Sequence, residues 1–284
     1  MKKLFVIIGF LGISLFCMPE LSAQFLTDQS FVDGIYVDNA TGVKEPMPLP
    51  IIREADVMWK KTIWREIDFN QKMNQGFYYP EAPHQNWQNL ITVLMNGLES
   101  GEIVAYADEA TGELINPIPY SKIVENTTDT KIIQVENEET GDLENKEVKV
   151  ELKPTDVTRC RVKEVWYFDK QRSQMMVRII AICPVRLAVD DNGDKVTEPL
   201  FWVPYNDATR TLLAKSPFFN RNNSSAQLSY DEVFIKRMFD SYIYREENMF
   251  DRNIKSYAKG VEALKESERI KQSIIDYEQQ LWEY

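Results

Sequence analysis

The sequence is poor in the residues that catalysis and metal binding use most often. It contains one histidine, His84, and three cysteines in 284 residues. A serine or cysteine nucleophile therefore has a single imidazole available as its base. The patterns H-E-x-x-H, C-x-x-C, G-x-x-x-x-G-K and G-x-S-x-G are absent as well. These absences favour a binding or assembly protein, without catalytic residues or a metal site.

Long apolar runs and an excess of positive charge are also lacking. Beyond an N-terminal stretch at residues 4–16, no run approaches the roughly 20 apolar residues that span a bilayer. The net charge is −11, so the chain lacks the basic excess by which proteins bind nucleic acid or anionic lipid. We therefore predict a globular chain that binds no nucleic acid and does not span a membrane.

The N-terminus has the layout of a secretory signal peptide. Two lysines precede the apolar run at 4–16, and the small residues before Gln24 offer a cleavage site after Ala23. Cys17 raises the alternative of a lipoprotein, but the residue before a lipidated cysteine is normally small and here it is Phe16. Cleavage after Ala23 is the preferred interpretation.

Two segments separated by four residues predict a β-hairpin. Residues 157–169 and 174–183 are rich in valine, isoleucine and aromatic residues. A register with two loop residues sorts most apolar from polar side chains and brings Cys160 opposite Cys183. This pairing predicts a disulfide between Cys160 and Cys183 in an oxidising compartment. Two reduced core cysteines remain the alternative, because cross-strand geometry is often unfavourable for bridging.

The segment ADVMWKKTIWREIDFNQKMN, residues 55–74, contains no glycine or proline and predicts an amphipathic helix. At helical spacing its large apolar residues fall on one side and its basic residues on the other. The apolar side is expected to face the core. The basic side is either solvated or docks on an acidic partner, and these interpretations are compatible. The predicted partner-binding residues are Trp59, Lys61, Trp64, Arg65 and Lys72.

The whole chain predicts an α+β fold, with amphipathic N-terminal helices on a mainly antiparallel sheet. A second helix is expected around Trp87–Leu98, with His84 at its start in a solvent-facing or capping role. The acidic stretch 125–149 predicts a loosely ordered loop, and a capping box at Ser229 predicts a helix at 232–247. The predicted segments are a signal peptide at 1–23, an extended proline-rich arm at 24–53, a core at 54–250 and a helical tail at 251–284. The thin apolar stripe of the tail favours an arm for a partner over packing on the body.

Several segments carry a resemblance to a known family. READVMWKKTIWREIDFNQKMN at 53–74 is followed by FYYP at 77–80 and LITVLMNGLESGEIVAYAD at 90–108. The predicted hairpin and the stretch LFWVPY at 200–205 are similar to the same family. Over about residues 30–250 the sequence resembles the GldN/PorN family of gliding-motility and type IX secretion proteins.

The resemblance implies a non-catalytic structural subunit of the type IX secretion machinery in the periplasm of the Bacteroidota. Family members form rings with a GldK/PorK-like outer-membrane lipoprotein and meet a GldM/PorM-like shaft protein of the inner-membrane motor. The resemblance also implies self-association within the ring and no cofactor. On this interpretation Lys61, Arg65 and Lys72 face the lipoprotein or a neighbouring subunit. Reversing the charges of Lys61 and Arg65 is expected to weaken co-purification with the lipoprotein without unfolding the chain.

Two alternatives from other functional classes remain at this point. A soluble periplasmic ligand-binding protein would be monomeric and have a deep pocket lined by aromatic residues. A secreted hydrolase using two carboxylates is the other alternative, because any chain with 44 acidic residues can supply a pair.

Overall fold

The computed structural model has the α+β architecture that the sequence predicts. It describes residues 44–84, 87–107, 113–136, 143–150, 152–189, 195–220, 223 and 228–282, with only the backbone at 129–136, 143–150, 189, 195 and 282. No helix in these ranges is both long and apolar enough to cross a membrane. The predicted signal peptide and the first part of the predicted arm, residues 24–43, lie outside the described residues.

One antiparallel sheet forms the centre of the fold. Its strands lie in the order β12, β1, β6, β7, β8, and β9 also pairs with β7. Three further strand pairs stand apart from it: β2 with β3, β4 with β5 and β10 with β11. The strands are β1 (Val57–Asp68), β2 (Ala105–Tyr106), β3 (Pro117–Ile118), β4 (Asp129–Glu136), β5 (Leu143–Val150), β6 (Val157–Asp169), β7 (Gln174–Val189), β8 (Lys195–Pro199), β9 (Val203–Pro204), β10 (Pro217–Phe218), β11 (Leu228–Ser229) and β12 (Tyr242–Glu246).

Six α-helices are described around this sheet. They are α1 (Gln75–Tyr78), α2 (Leu90–Glu99), α3 (Tyr120–Thr127), α4 (Asp207–Lys215), α5 (Tyr230–Ile235) and α6 (Val261–Trp282). The predicted second helix is confirmed from Leu90 onward. Asn89 caps it by accepting a hydrogen bond from the Thr92 backbone N–H at 2.9 Å, and Gly101 with φ +73° follows its end.

The predicted helix at 55–74 is wrong, because most of this segment is the inner strand β1. It pairs with β6 on one side and with β12 on the other. Val57, Thr62, Ile63 and the tryptophans are β-branched or aromatic, and such side chains fit a pleated sheet. Successive side chains of a strand point to opposite faces, so every second residue of β1 lies on the same face. A helix would place those residues on different sides.

Residues 63–67 of β1 are buried on both faces of the strand, which hides that alternation in the sequence. The helical face carries Ile67, which packs with residues of α2, α4 and α5, and Ile63, which packs with Ile270 and Ile274 of α6. The opposite face, here called the Trp202 face, carries Trp64 against Trp202. A strand covered on both sides shows no clean apolar-polar pattern.

The β6–β7 hairpin is confirmed, but the predicted disulfide is not formed. The predicted register holds near the turn, where Trp166 pairs with Val177. A register shift after Lys163 then moves β7 by one residue, as an extra residue in a β-bulge does. Cys160 consequently faces Pro184 and packs on the helical face, whereas Cys183 packs on the Trp202 face. No disulfide joins the two cysteines, and both side chains are buried.

Two other predicted segments also differ from the structure. The acidic stretch 125–149, expected to be a loose loop, contains the end of α3 and the antiparallel pair β4–β5. The capping residue Ser229 is confirmed, because its hydroxyl accepts from the Glu232 backbone N–H at 3.3 Å. The helix that it starts ends at Ile235, and the aromatic, β-branched sequence from Tyr242 forms β12 instead.

The C-terminal helix and the arm both lie on the body of the protein. α6 packs beside β12, where the Ser267 hydroxyl accepts a hydrogen bond from Ile243 N at 2.8 Å, and Tyr277 stacks on Trp59 with ring centroids 4.9 Å apart. The sequence favours a tail that serves as an arm for a partner. The structure shows the alternative, in which the tail packs on the body. The described part of the arm, residues 44–53, is extended, and Arg178 donates a hydrogen bond to its Pro50 carbonyl at 2.6 Å.

Candidate functional site

Three buried carboxylates organise the charged interior of the protein. Glu66, Glu164 and Asp231 are each at most 1% exposed. An isolated buried carboxylate is strongly unfavourable, so each must be paired and hydrogen-bonded. The structure supplies arginine donors to all three.

Glu164 is paired on the helical face of the sheet. Its Oε2 accepts hydrogen bonds from Arg65 Nε and Trp166 Nε1, both at 3.1 Å, and its Oε1 accepts from Arg237 Nη1 at 2.8 Å. Arg65 is itself 6% exposed. Burial lowers the pKa of Arg65 and the charge of Glu164 opposes that change, with a net lowering. A guanidinium nevertheless stays charged in proteins, so this is a true buried ion pair.

Glu66 lies on the Trp202 face of β1. It accepts from Arg159 Nη1 at 2.7 Å, from Arg161 Nε at 3.2 Å and from the Tyr242 hydroxyl. Burial by itself raises the pKa of Glu66. The Tyr242 hydrogen bond and the neighbouring cations, including Lys255, outweigh burial and hold that pKa below its ordinary value of 4.5.

The lowered pKa of Glu66 predicts a pH-dependent contribution to stability. The stabilisation is complete above about pH 4.5, the ordinary value, and is lost as the pH falls through the lower folded-state pKa. Glu66→Gln is expected to lower the free energy of unfolding by about 1–3 kcal/mol at pH 7, because it removes charged hydrogen bonds. The difference from the unsubstituted chain should shrink in urea unfolding below pH 4.5. A difference that is the same at pH 7 and pH 3 would contradict this assignment.

Asp231 joins the arm to the helices. Its Oδ1 accepts from the Tyr205 hydroxyl at 2.7 Å and from Arg210 Nε at 3.1 Å, and its Oδ2 accepts from Met47 N at 3.1 Å. Arg210 also donates to the Met47 carbonyl. The buried Arg210–Asp231 pair therefore holds both the backbone N–H and the backbone carbonyl of Met47 in the arm.

These arrangements are suited to holding the fold together. Each of the three carboxylates already accepts at least three hydrogen bonds from protein donors, which leaves little capacity for a substrate. Within the described ranges, no group of three or more histidine, cysteine or acidic residues is placed to hold a metal ion. His84 is exposed and forms a backbone bridge with Trp87, while Asn89 caps the helix that follows.

The five predicted partner-binding residues do not form one exposed strip. Trp64 and Arg65 are buried, and Trp59 is half-buried against Tyr277. Lys61 is partly exposed and pairs with Glu246 at 2.6 Å. Lys72 is exposed, and it follows β1. Of the five, Lys72 is the most exposed.

Lys72 borders an open apolar groove, here called the Met73 groove. The groove has a volume of about 770 Å³. Met73 is 59% exposed, Tyr79 47% and Met238 40%, which are large exposures for apolar side chains that lie together. The lining residues are Lys72, Met73, Gln75, Gly76, Tyr79, Phe218, Phe219, Asn220, Leu228 and Met238.

Hydrogen bonds of Asn74 connect two of the segments that line this groove. Asn74 is fully buried, and its amide nitrogen donates to the carbonyls of Asp68 and Asp240, both at 2.8 Å. Its Oδ1 accepts from Asp240 N at 2.9 Å. The turn after β1 is thereby tied to the segment before β12, and each of these two segments lines part of the groove.

Gly76 allows the Phe218 ring to pack into the groove wall. A Cβ at position 76 would lie 2.3 Å from Phe218 Cζ, and the ring is confined by Phe77 and Tyr230. Gly76→Ala is therefore expected to lower the free energy of unfolding by about 1–3 kcal/mol through overpacking. Thermal unfolding measures the loss, and Gln75→Ala in the same helix is the control with little expected change. Equal thermal unfolding midpoints for Gly76→Ala and Gln75→Ala would show that the Phe218 ring can move to make room for the added methyl group.

Sequence patterns gave no sign of this groove, because its walls come from three distant segments. The closest signal is the run of aromatic residues at 77–79, which falls within one of the quoted family segments.

Comparison with known proteins gives a family for the chain. No curated protein matches the sequence significantly. The profile of the family described as "Gliding motility associated protein GldN" matches residues 52–283. This match begins just before β1 and includes α6, so it extends beyond residue 250, where the resemblance read from the sequence stops. The chain belongs to the GldN family of gliding motility associated proteins.

Proposed function

We propose that this protein is a non-catalytic structural subunit of the type IX secretion and gliding machinery. In this proposal it lies in the periplasm and forms a ring with a GldK/PorK-like outer-membrane lipoprotein. The ring meets a GldM/PorM-like shaft of the inner-membrane motor. The observation that carries the proposal is the family match over residues 52–283.

The charged interior supports a structural role. Ion pairs of Glu66, Glu164 and Asp231 join the central strands, the segment before β12 and the arm to one another. Breaking any of them leaves a buried charge, so the pairs resist separation of the elements that they connect. Such internal connections suit a subunit that keeps its shape within a large assembly.

The exposed apolar groove supports a role in assembly. Apolar side chains exposed together are typical of protein-protein contacts. We place Lys72 at such a contact because it borders the Met73 groove. Trp59, Lys61, Trp64 and Arg65 are assigned to the support of the fold instead. Charge reversal at Arg65 is accordingly no longer a selective test of partner binding.

The test is the mass and composition of the native particle. The protein is isolated from detergent-solubilised envelopes without crosslinker, and the particle mass and co-purifying chains are measured. A megadalton-scale particle with one abundant lipoprotein is the expected result. A species of monomer mass without a lipoprotein would contradict the proposal and favour a ligand-binding protein.

A charge reversal at Lys72 refines that test. Lys72→Glu is expected to reduce the yield of the large particle, because it places a carboxylate at the edge of the proposed contact. Lys60→Glu is the matched control, since Lys60 is also an exposed lysine but lies in the first part of β1 and does not line the groove. Equal yields for the two variants would remove Lys72 from the contact.

A further inference from the structure

A second cavity lies between β12 and the segment that leads into α6. It has a volume of about 510 Å³ and is here called the Lys255 cavity. Its buried lining residues are Ile243, Ile254 and Ala258, all of them apolar. Leu264 of α6, which is 57% exposed, is a further apolar residue of the same lining. A cavity of this volume with a largely apolar lining is typical of a site for a small molecule.

Charged residues also line the Lys255 cavity, and most of them are cations. Arg159, Lys255 and Lys259 contribute positive charge, and Asp68 is the one carboxylate among the described lining residues. The lining therefore carries a net positive charge, although the whole chain has a net charge of −11.

Arg159 does not supply this excess, because it is paired. Its Nη1 lies 2.7 Å from Glu66 Oε1, and its Nη2 lies 3.7 Å from Asp68 Oδ2. Glu66 also accepts a hydrogen bond from Arg161 Nε at 3.2 Å. Two arginines and two carboxylates therefore balance one another beside the cavity.

Lys255 and Lys259 supply the excess. Both are exposed, and neither forms an ion pair with a residue in the part of the chain that the structure describes. Lys255 helps to hold the pKa of Glu66 below its ordinary value, so its ammonium group lies near the paired arginines and carboxylates. Since the arginines already balance Glu66 and Asp68, the charges of both lysines remain available to a ligand.

This lining favours a ligand that has an apolar body and an anionic head group. The apolar residues offer contact to a hydrocarbon chain, and the ammonium group of a lysine is a compact charge of the kind that binds phosphate. A cavity of about 510 Å³ suits a single small molecule. A chain with a net charge of −11 is repelled by an anionic bilayer, so these features favour one molecule over a membrane surface as the occupant.

We propose that the Lys255 cavity binds one molecule of an anionic amphiphile. Its head group lies at Lys255 and Lys259, and its apolar part contacts Ile243, Ile254 and Leu264. This site goes beyond the proposed function, because ligand binding here does not require a ring or a partner protein.

Isothermal titration calorimetry of the purified chain at low ionic strength tests the site, with hexyl phosphate as the probe. Hexyl phosphate is expected to bind with one molecule per chain. Inorganic phosphate lacks the apolar body and hexanol lacks the charge, so each is expected to bind at least about tenfold more weakly.

Two double variants locate the binding. Lys255→Gln/Lys259→Gln is expected to weaken hexyl phosphate binding about tenfold, because it removes two exposed charges that each contribute modestly. Lys122→Gln/Lys215→Gln is the matched control. It changes the net charge of the chain by the same amount at two exposed lysines that do not line the cavity, and its affinity should be unchanged.

Several outcomes would overturn the inference. Hexyl phosphate that shows no saturable binding would do so, and so would equal losses of affinity in the two double variants. If phosphatidylglycerol vesicles bind the chain and hexyl phosphate does not, the two lysines contact a membrane surface instead. These results leave the mass and composition of the native particle untouched, so the failure of this site is distinct from the failure of the proposed function.

Discussion

Replacing Glu164 with alanine is expected to lower the free energy of unfolding by about 3–5 kcal/mol. The carboxylate is fully buried and is bonded by Arg65 and Arg237. Its removal leaves the Arg65 guanidinium buried without its counter-charge, and breaking one side of a buried ion pair has an effect of this size. Urea unfolding followed by tryptophan fluorescence measures the loss.

Glu198→Ala is the matched control for Glu164→Ala. Glu198 pairs with Arg186 at 2.7 Å, but its side chain is 47% exposed, so the expected loss is below about 1 kcal/mol. A double variant, Arg65→Met/Glu164→Leu, should recover much of the stability, because apolar replacement of both partners removes the buried charges together. Equal losses for Glu164→Ala and Glu198→Ala would show that burial does not govern the effect of the pair.

Replacing Asp231 with alanine is expected to have a comparable effect, about 3–5 kcal/mol, and also to release the arm. The substitution strands the buried guanidinium of Arg210 and removes the acceptor of the Met47 N–H. Lys44 and Arg53 then become accessible to trypsin, because backbone must leave a surface before a protease can bind it. Limited proteolysis with mass spectrometry should show earlier cleavage at these two residues.

Glu232→Ala separates the role of Asp231 from a general effect on α5. Glu232 is its neighbour in the same helix and meets Lys44 at 3.9 Å, with both side chains partly exposed. The control should change stability by less than about 1 kcal/mol and leave the cleavage pattern unchanged. Early cleavage in both variants would mean that the arm is released without loss of the buried pair.

Local signals in the sequence predicted the elements whose chemistry is contained in a few neighbouring residues. The β6–β7 hairpin follows from two β-branched runs around a short turn. The Ser229 cap and the helix after Asn89 follow from capping and 3.6-residue periodicity. In each case the residues that determine the element are within one or two turns or one hairpin of each other.

The prediction for β1 failed because the deciding contacts are distant in sequence. Its lysines, arginine and glutamate look like the solvated side of a helix until their partners are known. Lys61 is paired with Glu246, and Arg65 with Glu164. Charged residues within a run of tryptophan, isoleucine and threonine are thus better interpreted as buried pairs of an inner strand. The register shift that moves Cys183 away from Cys160 could not be predicted either, because the sequence pattern assumes an unbroken ladder.

Among the described residues, the covalent structure of the folded interior does not depend on the redox state of its surroundings. Oxidation cannot join Cys160 to Cys183 while the strands stay paired, since the two thiols lie on opposite faces of the sheet. Burial raises the pKa of the Cys160 thiol to about 12, so almost none of it is thiolate at neutral pH and exchange with disulfide reagents is slow. The native state of this core contains no disulfide between Cys160 and Cys183, so no thiol oxidase is needed to complete it. Folded copies kept under reducing conditions and folded copies kept under oxidising conditions should have the same covalent core.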